Sequence, residues 1–129
     1  MPFYDLPKSE REKVVERINQ QLRTDFQKKK SGKLLLYFSD EDTYIRKTAY
    51  LCTGRLYFSE PELQENVLLL LKQLLGHKDF KVRQTVINAA GEIAKKEFEQ
   101  VQDFFDTGLF DAHHSPRNAV IGSIKKLGK

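Results

Sequence analysis

The sequence predicts an all-α fold: a solenoid of about three stacked helical hairpins behind an N-terminal capping helix. Three observations predict it. Three segments repeat at spacings in the middle thirties, each segment carries helical apolar periodicity, and the stretches between them have helix-starting signals and apolar stripes of their own.

The repeats align on their arginines. Asp42–Leu56, Asp79–Ile93 and His113–Leu127 place Arg46, Arg83 and Arg117 in one column, 37 and then 34 residues apart. Thr48 falls on Thr85 and Gly54 on Gly91. Leu56, Ile93 and Leu127 share an apolar column, and Cys52, Ala89 and Ser123 a column of small residues. Such a period is that of a helix–turn–helix unit, which cannot bury its apolar side alone and must stack on a neighbour.

Each element follows from local signals. Pro2–Pro7 is an apolar, proline-bracketed arm, expected to fold back onto the first helix or to serve as an arm for a partner. Ser9-Glu10-Arg11-Glu12 reads as a capping box, and Val14, Val15, Ile18, Leu22 and Phe26 continue with helical spacing to a stop near Ser31-Gly32. A short helix from Lys33 to Phe38 follows. Asp42 and Asp79 stand where N-caps are needed, ahead of the first two repeated helices. Ser59-Glu60-Pro61-Glu62 is a second capping box, launching Leu63–Leu75, with Gly76 as C-cap. Glu97–Phe110, with Val101, Phe104 and Phe105 apolar, pairs with a last helix capped by Ser115 with Pro116 in its first turn. The expected units are an arm and capping helix over 1–32 and hairpins over 33–58, 59–96 and 97–129.

The motif Asp42-x-x-Ile45-Arg46 and its copy Asp79-x-x-Val82-Arg83, each followed by small residues and a glycine near the helix end, resembles the second helix of HEAT repeats. The resemblance covers about residues 33 to 129; the third unit departs from it with His113 in place of Asp and Lys125 in place of Gly. It implies a right-handed α-α superhelix in which Asp42, Arg46, Asp79, Arg83 and Arg117 form a ladder of hydrogen bonds between repeats. It also implies that the second helices line the concave side. The residues on their non-core face are then Tyr44, Lys47, Leu51 and Arg55, followed by Lys81, Gln84, Asn88 and Glu92, and by Asn118, Gly122 and Lys125. This mixed surface suits a partner helix, a peptide or a nucleic-acid backbone.

Composition narrows the function. A net charge of +4 permits acidic partners or nucleic acid and demands neither. The longest apolar run, Val67–Leu71, stops at Lys72, well short of a membrane span, and the first residues do not form a signal peptide. With a single cysteine, Cys52, an internal disulfide is excluded, and a cytoplasmic location is expected. Cys52 reads as a small core residue. The Lys28-Lys29-Lys30 run reads as a helix C-terminus, where cations are favourable. His113-His114 near Asp111 has no zinc spacing, and no phosphate loop or nucleophile motif is present. No catalytic residue, metal or cofactor is expected.

The sequence therefore favours a non-enzymatic scaffold that presents a concave helical surface to a protein or peptide. One alternative is a nucleic-acid-binding or DNA-repair-related module, since alkylpurine DNA glycosylases resemble HEAT arrays; the absence of tryptophan and the short chain speak against it. Another is a regulatory subunit of an enzyme. The last helix is expected to need cover, from further repeats or from a second copy.

Overall fold

The computed structural model describes residues 2–128, and among them there is no strand. Six helices follow one another: α1 Lys8–Lys28, α2 Gly32–Phe38, α3 Thr43–Ser59, α4 Gln64–Leu74, α5 Phe80–Gly108 and α6 His114–Leu127. The helix α5 is not continuous. Glu97 leaves the helical region (φ −137°, ψ 63°) and divides it into arms over 80–96 and 98–108. Along the chain α2 packs on α3, α4 on α5, and α5 on α6. Helix α1 covers the first pair.

The second helices of the pairs lie side by side, α3 against α5 and α5 against α6. Two of the shared glycines show why. A Cβ on Gly54 would come within 2.7 Å of Glu92 Cβ, and one on Gly91 within 2.5 Å of Ser123 Oγ. Each helix thus offers a bare patch of backbone to its successor. The core runs along the stack. Ile18, Leu22 and Phe26 of α1, Leu34 and Phe38 of α2, Leu71 of α4 and Val86, Ile87 and Ile93 of α5 are all at most 1% exposed. This is the apolar stripe of each amphipathic helix closed against the next. Cys52 is fully buried among them.

Several helix ends differ from the expectation. Pro7 occupies the N-cap of α1 and no side chain caps it, so Ser9 sits inside the first turn and the capping box does not form. Ser59 is the last residue of α3, because Glu60 N–H still donates to Leu56 O at 3.0 Å; it cannot also cap α4. A single 3₁₀ turn, Pro61–Leu63, joins the two helices instead. Gly76 keeps a negative φ; the chain leaves α4 through turns in which Gly76 and His77 N–H donate to Gln73 and Leu74 carbonyls. The left-handed residue that ends α1 is Lys29 (φ 55°), with Lys30 N–H returning to Asp25 O at 2.9 Å. Helix α6 is capped by His113, whose Nδ1 accepts from Ser115 N–H at 3.0 Å, so Ser115 is a donor rather than the cap.

Helix α2 is too short to persist by itself. Its N-terminus is held by Asp25 of α1, whose Oδ2 accepts from Lys33 N–H at 2.8 Å and Leu34 N–H at 2.9 Å. The arm folds back as a 3₁₀ turn, Phe3–Asp5, with Phe3 buried and its N–H donating to Asp42 Oδ2 at 2.8 Å. Tyr4 then meets Tyr44 edge-on at 4.3 Å, beneath Arg11.

Candidate binding surface

A loop of common design precedes each second helix and sets where its face points. Asp42 Oδ1 accepts from Tyr44 N–H, Asp79 Oδ1 from Lys81 N–H, and His113 Nδ1 from Ser115 N–H. The cap residue's own N–H donates two positions back, to Asp40 Oδ1, His77 Nδ1 and Asp111 Oδ1 in turn. The arginine four residues beyond each cap reaches back to the carbonyl of that same upstream residue. Arg46 donates to Asp40 O, Arg83 to His77 O and Arg117 to Asp111 O. The three arginines are thus first of all clamps on their own loops.

Between the second and third hairpins, beside a more exposed ion pair from Lys72 to Asp103, a largely buried one runs from Arg83 to Asp111. Nε donates to Oδ2 at 2.8 Å and Nη2 to Oδ1 at 3.0 Å, with the two side chains 17% and 9% exposed. Asp42 and Asp79 cap their own helices, and position 77, where the first link would need an acid, is a histidine. The Arg83 guanidinium holds the Asp111 carboxyl below the usual carboxylate range, against the opposing effect of burial. At Asp42 burial again works the other way, but the N–H groups of Phe3, Tyr44 and Ile45 outweigh it and keep that carboxyl low.

Two grooves are lined in part by residues of the second helices. The larger, about 1160 Å³, lies between α1, the C-terminal half of α3 and the first arm of α5, with Phe3 and Tyr4 at one end. Its floor is apolar, from Val15, Leu51, Leu56 and Phe58. Around it stand Lys8, Arg11, Arg55, Lys95 and Lys96 with Glu12, Glu16, Glu60 and Glu92. The smaller, about 350 Å³, lies between α5 and α6 and is lined by Gln84, Asn88, Asn118, Gly122 and Lys126 with His114 and Ser115 at the start of α6.

The expected concave residues divide among these places. Leu51, Arg55 and Glu92 line the larger groove; Gln84, Asn88, Asn118 and Gly122 line the smaller. Tyr44 instead packs edge-on against Tyr4 outside both grooves and stays exposed, and Lys81 is drawn to Glu41 and Asp79 at 3.5 Å each. Lys47 and Lys125 are exposed outside both grooves; on α6 it is Lys126 that faces in. The residues missed from the sequence are those of α1, Val15, Glu16 and Asn19, together with Phe58, Lys95 and Lys96. A capping helix was expected to close an end of the stack, whereas α1 also forms a groove wall.

Among the described residues no three His, Cys, Asp or Glu side chains come together as metal ligands. His113 is a helix cap whose ring stacks on Phe80 at 3.8 Å and on His114 at 4.5 Å. Burial pushes the Cys52 thiol up, away from the reactive thiolate. No helix among the described residues is long and apolar enough to cross a membrane.

The model of the non-SMC mitotic condensation complex subunit 1 family (Cnd1) matches residues 24–113, more than half of the chain. The chain belongs to this family. The AP-1 complex subunit beta of Dictyostelium discoideum is 41% identical over 89 residues, which is 67% of this chain and 9% of that protein. The chain thus spans less than a tenth of that relative's length. No solved structure matches the chain significantly. As a Cnd1-family segment, the chain is a HEAT-type helical repeat, and its matched region runs from the last turn of α1 to the cap of α6.

Proposed function

We propose that the chain is a non-enzymatic scaffold segment that holds an amphipathic helix of a protein partner in the larger groove, acting in the cytoplasm. The observation that carries this reading is the combination of an apolar floor with a rim of five cationic and four anionic side chains. A helix laid in such a groove buries its apolar stripe on Leu51 and Phe58 and meets charges of both signs at its edges. The near balance of charge favours a protein over a nucleic acid, which a continuous positive track would serve better. The two relatives named above are both subunits of complexes by name, which supports the same reading. The working units are those expected from the sequence, with hairpins over 33–58, 59–96 and 97–129.

A photo-crosslinking residue at position 51, with position 69 of α4 as the control, tests the proposal in cells. Leu69 is exposed at 45% and lies outside both grooves. A discrete protein adduct at 51, absent at 69 and lost when Glu16→Lys and Lys95→Glu are introduced together, is the expected result. No adduct at 51, or an adduct with nucleic acid that weakens steeply with salt, overturns it.

A further inference from the structure

The two walls of the larger groove offer free charge of opposite sign. On α1, Glu12 and Glu16 stand one turn apart beside Val15, so both carboxylates border one side of the apolar floor. Arg55 of α3 and Lys96 of α5 border the other. All four side chains are exposed. The remaining rim charges are engaged locally. Lys95 pairs with Glu92 at 3.0 Å and Glu60 with Arg23, while Arg11 donates to Leu6 O at 3.1 Å and lies over the Tyr4 ring. Lys8 sits in the first turn of α1, at the arm end. Arg55 and Lys96 have only weak contacts on their own wall: Arg55 Nη2 is 3.3 Å from Cys52 Sγ, and Lys96 Nζ is 5.1 Å from the centre of the Phe58 ring. Among the described residues no ion pair joins Glu12 or Glu16 to Arg55 or Lys96 across the floor.

We infer, on the helix-binding reading proposed above, that the groove selects its partner by the charge on each edge of the partner's apolar stripe, and so fixes the direction in which that helix lies. The edge against α1 is basic and the edge against α3 and α5 is acidic. A helix about 10 Å across fills ~400 Å³ per turn, so a groove of about 1160 Å³ takes roughly two to three turns, more than the single turn that separates Glu12 from Glu16. Turning such a helix end for end, with its stripe kept on the floor, exchanges its edges. Each edge then meets its own sign, and like charges in contact oppose binding. Exposed ion pairs are individually weak, so the discrimination comes from several acting together.

The test uses the full chain and three synthetic helical peptides of one composition and one apolar stripe. The first carries lysines along one edge and glutamates along the other, the second has these edges exchanged, and the third mixes both signs on each edge. Titration gives the affinities, and a spin label at the peptide N-terminus reports direction by broadening the amide signal of either Tyr4 or Ser59, at opposite ends of the groove. The first two peptides are expected to bind about tenfold more tightly than the third, in opposite directions, with the advantage shrinking at about 0.5 M salt as charge is screened. In a chain carrying Glu12→Lys, Glu16→Lys, Arg55→Glu and Lys96→Glu, all at exposed positions, each peptide should turn round. Equal affinity for the three peptides, or a direction that edge exchange leaves unchanged, overturns the charge selection and leaves helix binding standing. Binding of none of them overturns both. Self-association of the chain that excludes the peptides overturns the selection as well, by making the occupant a second copy.

Discussion

Arg83 grips Asp111 with two nitrogens, at 2.8 and 3.0 Å, while a third donates to the carbonyls of His77 and Lys78 at 2.8 and 2.9 Å. One side chain thereby fixes its own loop and joins the second hairpin to the third. Arg46 and Arg117 make the loop contact without an inter-hairpin acid. Replacing Arg83 with Ala leaves the largely buried Asp111 carboxylate unpaired and is expected to cost about 3 kcal/mol. Arg46→Ala and Arg117→Ala each lose a bond from a charged donor to a carbonyl, for about 1.5 kcal/mol apiece. Urea unfolding of the three Ala variants at pH 7 checks the order, and equal losses at all three positions would refute it.

The same pair makes the fold sensitive to acid. The Asp111 carboxyl has its folded pKa depressed by Arg83, and that of Asp42 by backbone N–H groups despite its burial. A depressed carboxyl stabilises the fold at pH values above its unfolded pKa, near 3.9, and that stabilisation is lost as pH falls through the folded value. Urea midpoints are therefore expected to drop below about pH 4, and Asp111→Asn, less stable at pH 7, should show a shallower drop. Parallel curves for the two proteins would show that Asp111 is not a source of the pH dependence.

How much of this could be read from the sequence depends on the range of the interaction. Asp42 and Asp79 were legible as caps because the cap, its helix and its acceptor geometry lie within three residues. Gly54 and Gly91 were legible as a column because close helix approach demands glycine at a repeating position. Asp25 was not legible as the cap of α2, since the carboxylate arrives from another helix. The break at Glu97 has neither proline nor glycine to announce it, although a new helix starting there was expected. Ser9, Ser59 and Ser115 had the right residue type, and each lost the cap position because a neighbour, Pro7, Glu60 or His113, settled the helix end first. The larger groove was half legible. Leu51, Arg55 and Glu92 follow from helical periodicity, whereas its α1 wall depends on how the first helix crosses the stack.

Two glycines should respond to alanine in opposite directions. At Gly54 a methyl group would meet Glu92 Cβ at 2.7 Å, an atom tied to the α5 backbone, so α3 and α5 must part. Crowding of this kind costs about 2 kcal/mol and exceeds the roughly 1 kcal/mol that Ala contributes over Gly inside a helix. Gly54→Ala is thus expected to destabilise by about 1 kcal/mol net. Gly122 lies in the middle of α6 with nothing within 4 Å of its added Cβ. There the propensity acts alone, and Gly122→Ala should stabilise by about 0.5–1 kcal/mol. Thermal unfolding of both variants checks the signs; a stabilising Gly54→Ala would mean that the two helices do not meet at that glycine.

Cys52 offers a direct probe of the stack's integrity. Its side chain is fully buried in α3, and desolvation raises the thiol pKa, while Arg55 Nη2, 3.3 Å from Sγ, pulls the other way. Burial is the larger influence, so the thiol stays protonated and shielded at neutral pH. Alkylation of the native chain should then proceed only through opening of the first hairpin, and its rate should rise in proportion to any loss of stability there. Gly54→Ala, two residues away, is expected to speed the reaction by about fivefold, the factor that corresponds to its 1 kcal/mol of destabilisation. Gly122→Ala should leave it unchanged unless the whole stack opens as one unit, in which case it slows the reaction. Rapid labelling of the unmodified protein, at the rate of an exposed cysteine, would show that α3 does not bury this residue against α1 and α5.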